Sequence, residues 1–174
     1  MKRRSLKILP LLLLVLSAGT LADPIHAIAD GAFWHHDSGW VFAQKIGEFD
    51  LVGIPQDVAG SRDAVAYYAR TTGGVRTVAA VDVYPQDSAL EHEIASGMKQ
   101  KSEDSLAIGP GEPLRATRVV YESPSGSAMT VLYFVTMRDW RVRIEVTAPV
   151  PDADTLPFLD AFVRSQRWDS LADN

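Results

Sequence analysis

Between residues 114 and 149, three runs rich in β-branched and aromatic residues follow one another: LRATRVVYES (114–123), AMTVLYFVTM (128–137) and WRVRIEVTAP (140–149). Only PSGS and RD separate them. Connections of four and two residues are too short for a crossover, so the three runs must be antiparallel neighbours. In the third, Trp140, Val142, Ile144 and Val146 alternate with Arg141, Arg143, Glu145 and Thr147, the pattern of a strand with one wet face. In the second, Val131 to Val135 are apolar without a break, which suits a central strand covered above and below.

A second hairpin precedes these. DAVAYYAR (63–70) and VRTVAAVDVYP (75–85) are joined by TTGG, and WVFAQKIGEFDLVGI (40–54) holds one or two strands interrupted at Gly47. Two helices are expected as well. Ser88 and Glu91 have the spacing of a capping box, and Leu90, Ile94 and Met98 then make one apolar stripe of a helix reaching about Lys101. The polar, Gly- and Pro-rich run SEDSLAIGPGEP (102–113) reads as the loop that ends it. A last helix starts near Asp154 or Thr155, tolerates Pro157 in its first turn and turns Leu156, Leu159, Phe162 and Val163 inward, with Trp168 as a lid on the sheet edge. The expected fold class is α+β: a single antiparallel sheet of about six strands with two helices packed on it, in the order strands, helix, three strands, helix.

The N-terminus carries an address. Lys2, Arg3, Arg4 and Lys7 precede an apolar run from Ile8 to Leu16, which reaches small and polar residues well before the roughly 20 apolar residues a membrane span needs. This is the pattern of a secretory signal cleaved after Ala22, and it predicts an exported, periplasmic protein. An uncleaved leader would instead anchor the chain. The expected organisation is a signal peptide at 1–22, a flexible lead-in at 23–39 and one domain at 40–170. With four of the 17 Lys and Arg in the leader, 13 remain against 22 Asp and Glu, a net charge of −9. So acidic a domain repels phosphate backbones, which argues against nucleic-acid partners. The chain has no cysteine, which excludes disulfides, thiol chemistry and zinc-thiolate centres.

The words WVFAQKIGEFDLVG, GSRDAVAYYAR and GVRTVAAVDVYP, followed by the expected helix at 88–101, resemble an uncharacterised group of exported proteobacterial proteins that share an IG-x-F strand and a Tyr-rich hairpin ending in VYP. The resemblance covers residues 40 to 100. It implies export and carries over no catalytic residue. More distantly, the order of elements is similar to the PsbP-like fold, whose members are often non-enzymatic assembly factors or accessory subunits, although a fold does not confer a function.

The most reactive-looking stretch is AFWHHDSGW (32–40). In an extended strand His35 and His36 point to opposite faces, so both would ligate one ion only in a bent loop. His36 and Asp37 could join His26 or His92 if folding brings one of them near. Glu91, His92 and Glu93 fan apart on a helix and share no ligand set. The serines of ESPSGSAM lack the Gly-x-Ser-x-Gly elbow and suit a turn, and GPGEP lacks the lysine of a phosphate loop. Arg141 and Arg143, with Arg115 or Arg118 across from them, form the best candidate for a partner-binding surface, because adjacent guanidiniums grip carboxylates. The plainer reading pairs them with Glu122 and Glu145 across the sheet. Tyr67, Tyr68 and Tyr84 read as sheet packing. No cofactor is expected. The function these observations favour is a non-catalytic binding or accessory domain acting on an envelope protein or a small apolar ligand. The alternative is a metal-dependent hydrolase using His35, His36 and Asp37.

Overall fold

The computed structural model describes residues 25–57, 62–88, 98–109, 114–149 and 151–171. Two antiparallel sheets account for most of them. The smaller has three strands in the order β1 (Ile25–Ala27), β2 (Phe33–His35), β3 (Val41–Phe42). The larger contains β4 (Lys45–Ile46), β5 (Phe49–Leu51), β6 (Gln56–Asp57), β7 (Ala64–Thr72), β8 (Val75–Pro85), β9 (Lys99–Ile108), β10 (Leu114–Glu122), β11 (Ala128–Met137) and β12 (Trp140–Pro149). Eight of these lie in series as β4-β5-β7-β8-β12-β11-β10-β9, and β6 pairs alongside β7. Among the described residues there is one α-helix, α1 (Thr155–Arg164), followed by a 3-10 turn at Trp168–Leu171. None of them forms a helix long and apolar enough to cross a membrane.

The meander expected from the short PSGS and RD connections is present: β10 pairs with β11, and β11 with β12 through Met137↔Trp140. In the β7–β8 hairpin both strands run into the connection, so that Thr72 faces Val75 and only Gly73 and Gly74 turn. Both glycines have positive φ (57° and 81°), the backbone a two-residue turn of primed type requires and side-chain-bearing residues resist.

One face of the large sheet is the core face. Ala79, Val81 and Val83 of β8, Val142, Ile144 and Val146 of β12, and Val131, Tyr133 and Val135 of β11 line it, all buried. Helix α1 covers this face with Leu159, Phe162 and Val163. Phe162 sits 4.3 Å from the Phe49 ring and 5.7 Å from that of Tyr68.

The expected single sheet of about six strands with two helices is corrected in three places. Residues 25–35, expected to be a flexible lead-in, form β1, a 3-10 turn and β2, and His35 is fully buried. Strands of two or three residues are too short to display a period, which is why the second sheet was not visible in sequence. The expected helix at 88–101 and the loop at 102–113 also give way: Lys99–Ile108 is strand β9, hydrogen-bonded to β10 from Lys99↔Glu122 to Leu114↔Ile108. An edge strand exposed over most of its length needs no alternating apolar residues, so its sequence looks like a loop. Residues 89–97 of that expected helix, including Leu90, Glu91, His92, Glu93 and Ile94, lie outside the described residues.

Candidate functional site

At one end of the large sheet the turn after β2, the start of β7, the end of β8 and the β11–β12 hairpin enclose a pocket of about 610 Å³. Asp37, Arg62, Asp87, Arg138 and Asp139 contribute charge to it, and Trp140 contributes an apolar surface.

The first wall is set by the sequence HHDSGW. As alternation requires, His35 turns into the core while His36 turns to solvent. His35 Nδ1 lies 2.7 Å from Ser38 Oγ, and the same hydroxyl oxygen accepts the Trp40 N–H at 3.1 Å. Gly39, at φ 74°, donates its N–H to the His35 carbonyl at 2.9 Å and closes the turn. The His35 ring meets the Trp140 ring edge-on at 5.6 Å, joining this wall to the large sheet.

Asp37 projects from the turn into the pocket. Its two oxygens lie 3.4 Å from His36 Nδ1 and 3.3 Å from Arg62 Nε. Partial burial pushes its carboxyl up, but the hydrogen bonds from His36 and Arg62 and the Arg62 charge outweigh that, holding it below the ordinary carboxylate value. The Arg62 guanidinium is carried 5.0 Å above the Trp140 ring, within cation–π range.

The opposite wall is the two-residue tip of the β11–β12 hairpin. Arg138 takes φ 51°, the left-handed region, although it is not glycine. That conformation costs on the order of 1 kcal/mol and persists only where the surroundings impose it. Gln86 imposes it here: its backbone N–H bonds the Asp139 carbonyl at 2.8 Å, and its side-chain amide donates to the Arg138 carbonyl. The pocket is therefore bounded by two hydrogen-bonded turns and carries both signs of charge around an aromatic ring.

Ser38 and His35 are the described residues nearest to a nucleophile–base pair, but Ser38 is only 3% exposed and its oxygen already accepts the Trp40 amide. They act as a turn lock. No group of three or more His, Asp or Glu among the described residues is placed to hold a metal ion.

The sequence candidates on the wet sheet face separate. Arg143 is 11% exposed and paired with Asp82 at 3.0 Å and with Glu145. Burial pushes the Asp82 carboxyl up against the opposing pull of Arg143. Arg141 is exposed, opposite Thr136 and Tyr84. Arg115 shares that face and binds Ser105 Oγ at 2.7 Å, whereas Arg118 turns to the core face. Glu122 pairs with Lys101 at 2.9 Å and not with an arginine. The tyrosines divide too: Tyr67 is exposed, Tyr84 is buried, and Tyr68 is buried with its hydroxyl on the Ala43 carbonyl at 3.1 Å.

Arg62, Gln86, Asp87, Arg138 and Asp139 were not singled out in sequence. One signal pointed to Arg138 and Asp139 and none to the other three. The dipeptide RD closes a two-residue hairpin where Asn-Gly or Gly-rich turns are the rule, so a strained residue was to be expected there. Comparison of the chain with protein-family models, with curated proteins and with solved structures finds no match.

Proposed function

We propose that the chain is an exported, non-catalytic binding domain whose pocket at the Trp140 end of the large sheet takes a small zwitterionic molecule such as a free amino acid or short peptide. The observation that carries this reading is the placement of Arg62, held 5.0 Å over Trp140 while Asp37 bonds its Nε at 3.3 Å. A guanidinium fixed in this way presents its remaining N–H groups to a ligand carboxylate at little entropic cost. Exposed Asp87 and Asp139 on the far side suit the ligand's ammonium group. Export is supported by the charged start and short apolar run of the leader, and N-terminal sequencing of the periplasmic protein tests it by the residue at which the chain begins.

Amide NMR of the purified protein tests the pocket, with glycine, L-glutamate, L-lysine and dialanine as probes and acetate, a carboxylate without an ammonium group, as the control. The expected result is movement of the Trp140 indole N–H and the Gln86 side-chain amide with at least one zwitterion, lost in Arg62→Ala. If both resonances stay still at millimolar concentrations of every probe, the reading fails.

A further inference from the structure

The outward face of the small sheet gathers three rings that no part of the pocket reading uses. Register pairs His26 of β1 with Trp34 of β2, and His36 follows two residues later on the same side. The ring centres of His26 and His36 are 6.5 Å apart at an interplanar angle of 81°, and Trp34 lies 6.2 Å from the first and 5.2 Å from the second. His36 is exposed and His26 partly so.

We propose that His26 and His36 form a binding site for a borderline divalent transition metal, Cu²⁺, Ni²⁺ or Zn²⁺. Imidazole nitrogens suit these ions, and two rings that ligate one ion tetrahedrally at about 2.0–2.1 Å have centres about 5 Å apart, so the two partly exposed rings close by roughly an ångström on binding. The second observation is Asp37, whose Oδ1 lies 3.4 Å from His36 Nδ1. A carboxylate on one ring nitrogen fixes the tautomer and turns the other nitrogen outward as a ligand, the arrangement found behind metal-bound histidines. Asp37 is held in turn by Arg62 at 3.3 Å. Since no third protein ligand is placed there among the described residues, water completes the coordination and the ion keeps open positions. The affinity order is Cu²⁺ above Ni²⁺ and Zn²⁺. The site shares Asp37 with the pocket but takes its ligands elsewhere: Arg62→Ala removes the pocket's guanidinium and leaves both imidazoles.

The test is titration of the full protein with Cu²⁺ chloride, followed by tryptophan fluorescence and by calorimetry. Trp34 stands beside the proposed ion, so open-shell Cu²⁺ quenches its emission and closed-shell Zn²⁺ competes the quenching away. One equivalent should bind. His26→Ala and His36→Ala should each remove the binding, His36→Gln should do the same while keeping side-chain bulk, and Asp37→Asn should weaken it roughly 10- to 100-fold. Trp34→Phe should lose most of the quenching and keep the heat of binding. Circular dichroism of each variant confirms that it is folded. Binding that survives in His26→Ala or in His36→Gln, or that is lost with His92→Ala instead, overturns the proposal. So does the absence of a saturable heat in the unaltered protein.

Discussion

Arg118 stands on the core face of β10 opposite Tyr133 of β11 and Asp104 of β9, and its guanidinium joins three elements. It bonds Asp104 at 2.8 Å and Asp160 of α1 at 2.6 Å, while the Tyr133 hydroxyl donates to the other Asp160 oxygen at 2.9 Å. Burial, with the Asp160 charge beside it, pushes the Tyr133 phenol far above its ordinary value, so it remains a donor. Removing one partner of a buried pair leaves the other charge uncompensated, which costs more than the pair contributes. Arg118→Met is therefore expected to lower the unfolding free energy by about 3–5 kcal/mol, and Tyr133→Phe by about 1–2 kcal/mol, both measured by urea denaturation. The pH dependence follows from Asp104, which the Arg118 hydrogen bond holds below the ordinary carboxylate value. A carboxyl depressed in the folded state contributes stability above its unfolded pKa of about 3.9 and loses it as pH falls through the folded value. Stability should fall in acid below about pH 4, and Arg118→Met should flatten part of that fall. Asp104 is 46% exposed, so its share is a screened one. Sequence offered Arg115 and Arg118 as equal companions for Arg141. Three residues apart on a strand, they had to face opposite ways, but which one shared a side with Arg141 depended on register, and nothing in the residues themselves sets that register. His35 and His36 needed no register, only alternation, and so their opposite orientations were legible.

At the scale of elements, legibility follows burial. The β7–β8 hairpin and the β10–β11–β12 meander were readable because both ends of each strand meet turn residues and their core sides are mostly apolar, with Arg70 and Arg118 as the charged exceptions. Helix α1 was readable from Leu156, Leu159, Phe162 and Val163. Strand β9 was not, and the reason is its position at the edge. Lys99, Lys101, Glu103 and Asp104 give it charge, and its pairing with β10 shifts between Val120↔Ser102 and Tyr121↔Gln100, so that Lys101 is the extra residue of a bulge. Charges and bulges on an outer strand prevent a second sheet from adding to its free N–H and C=O groups. The polar composition that hid the strand is thus its protection. Replacing Lys99, Lys101 and Glu103 with valine should preserve the fold and give concentration-dependent self-association, seen as a rise in apparent mass by light scattering. A triple variant with unchanged mass at every concentration would show that these charges do not guard the edge.

The whole molecule is held together by contacts between its two ends, and these were the least legible part. Sequence placed Trp168 as a lid on the sheet edge; in the fold it is buried beside Gly109, at the end of edge strand β9, and also reaches the small sheet through Trp40. Its ring packs against Trp40 at 5.2 Å, its indole N–H donates to the Val163 carbonyl at 2.8 Å, and two residues later Ser170 Oγ accepts the Val41 N–H at 3.2 Å. The small sheet, with the proposed metal ligands on its outer side and the Asp37 turn at its end, is thereby tied to the C-terminal turn more than 120 residues away in the chain. No local pattern reports a contact of that separation. Replacing a buried tryptophan with alanine costs about 3–5 kcal/mol through lost burial and the cavity left behind. Because Trp168 touches the small sheet directly, part of that loss should appear as local opening before global unfolding. Trp168→Ala should therefore become cleavable by chymotrypsin at Trp34, Trp40 or Phe42 under conditions where the large sheet stays protected, whereas Trp168→Phe, which keeps an aromatic ring against Trp40, should resist. Equal cleavage of both variants at sites throughout β7 to β12 would mean that the two sheets open as one unit, and that the Trp40–Trp168 contact stabilises the molecule without governing the position of its pocket wall.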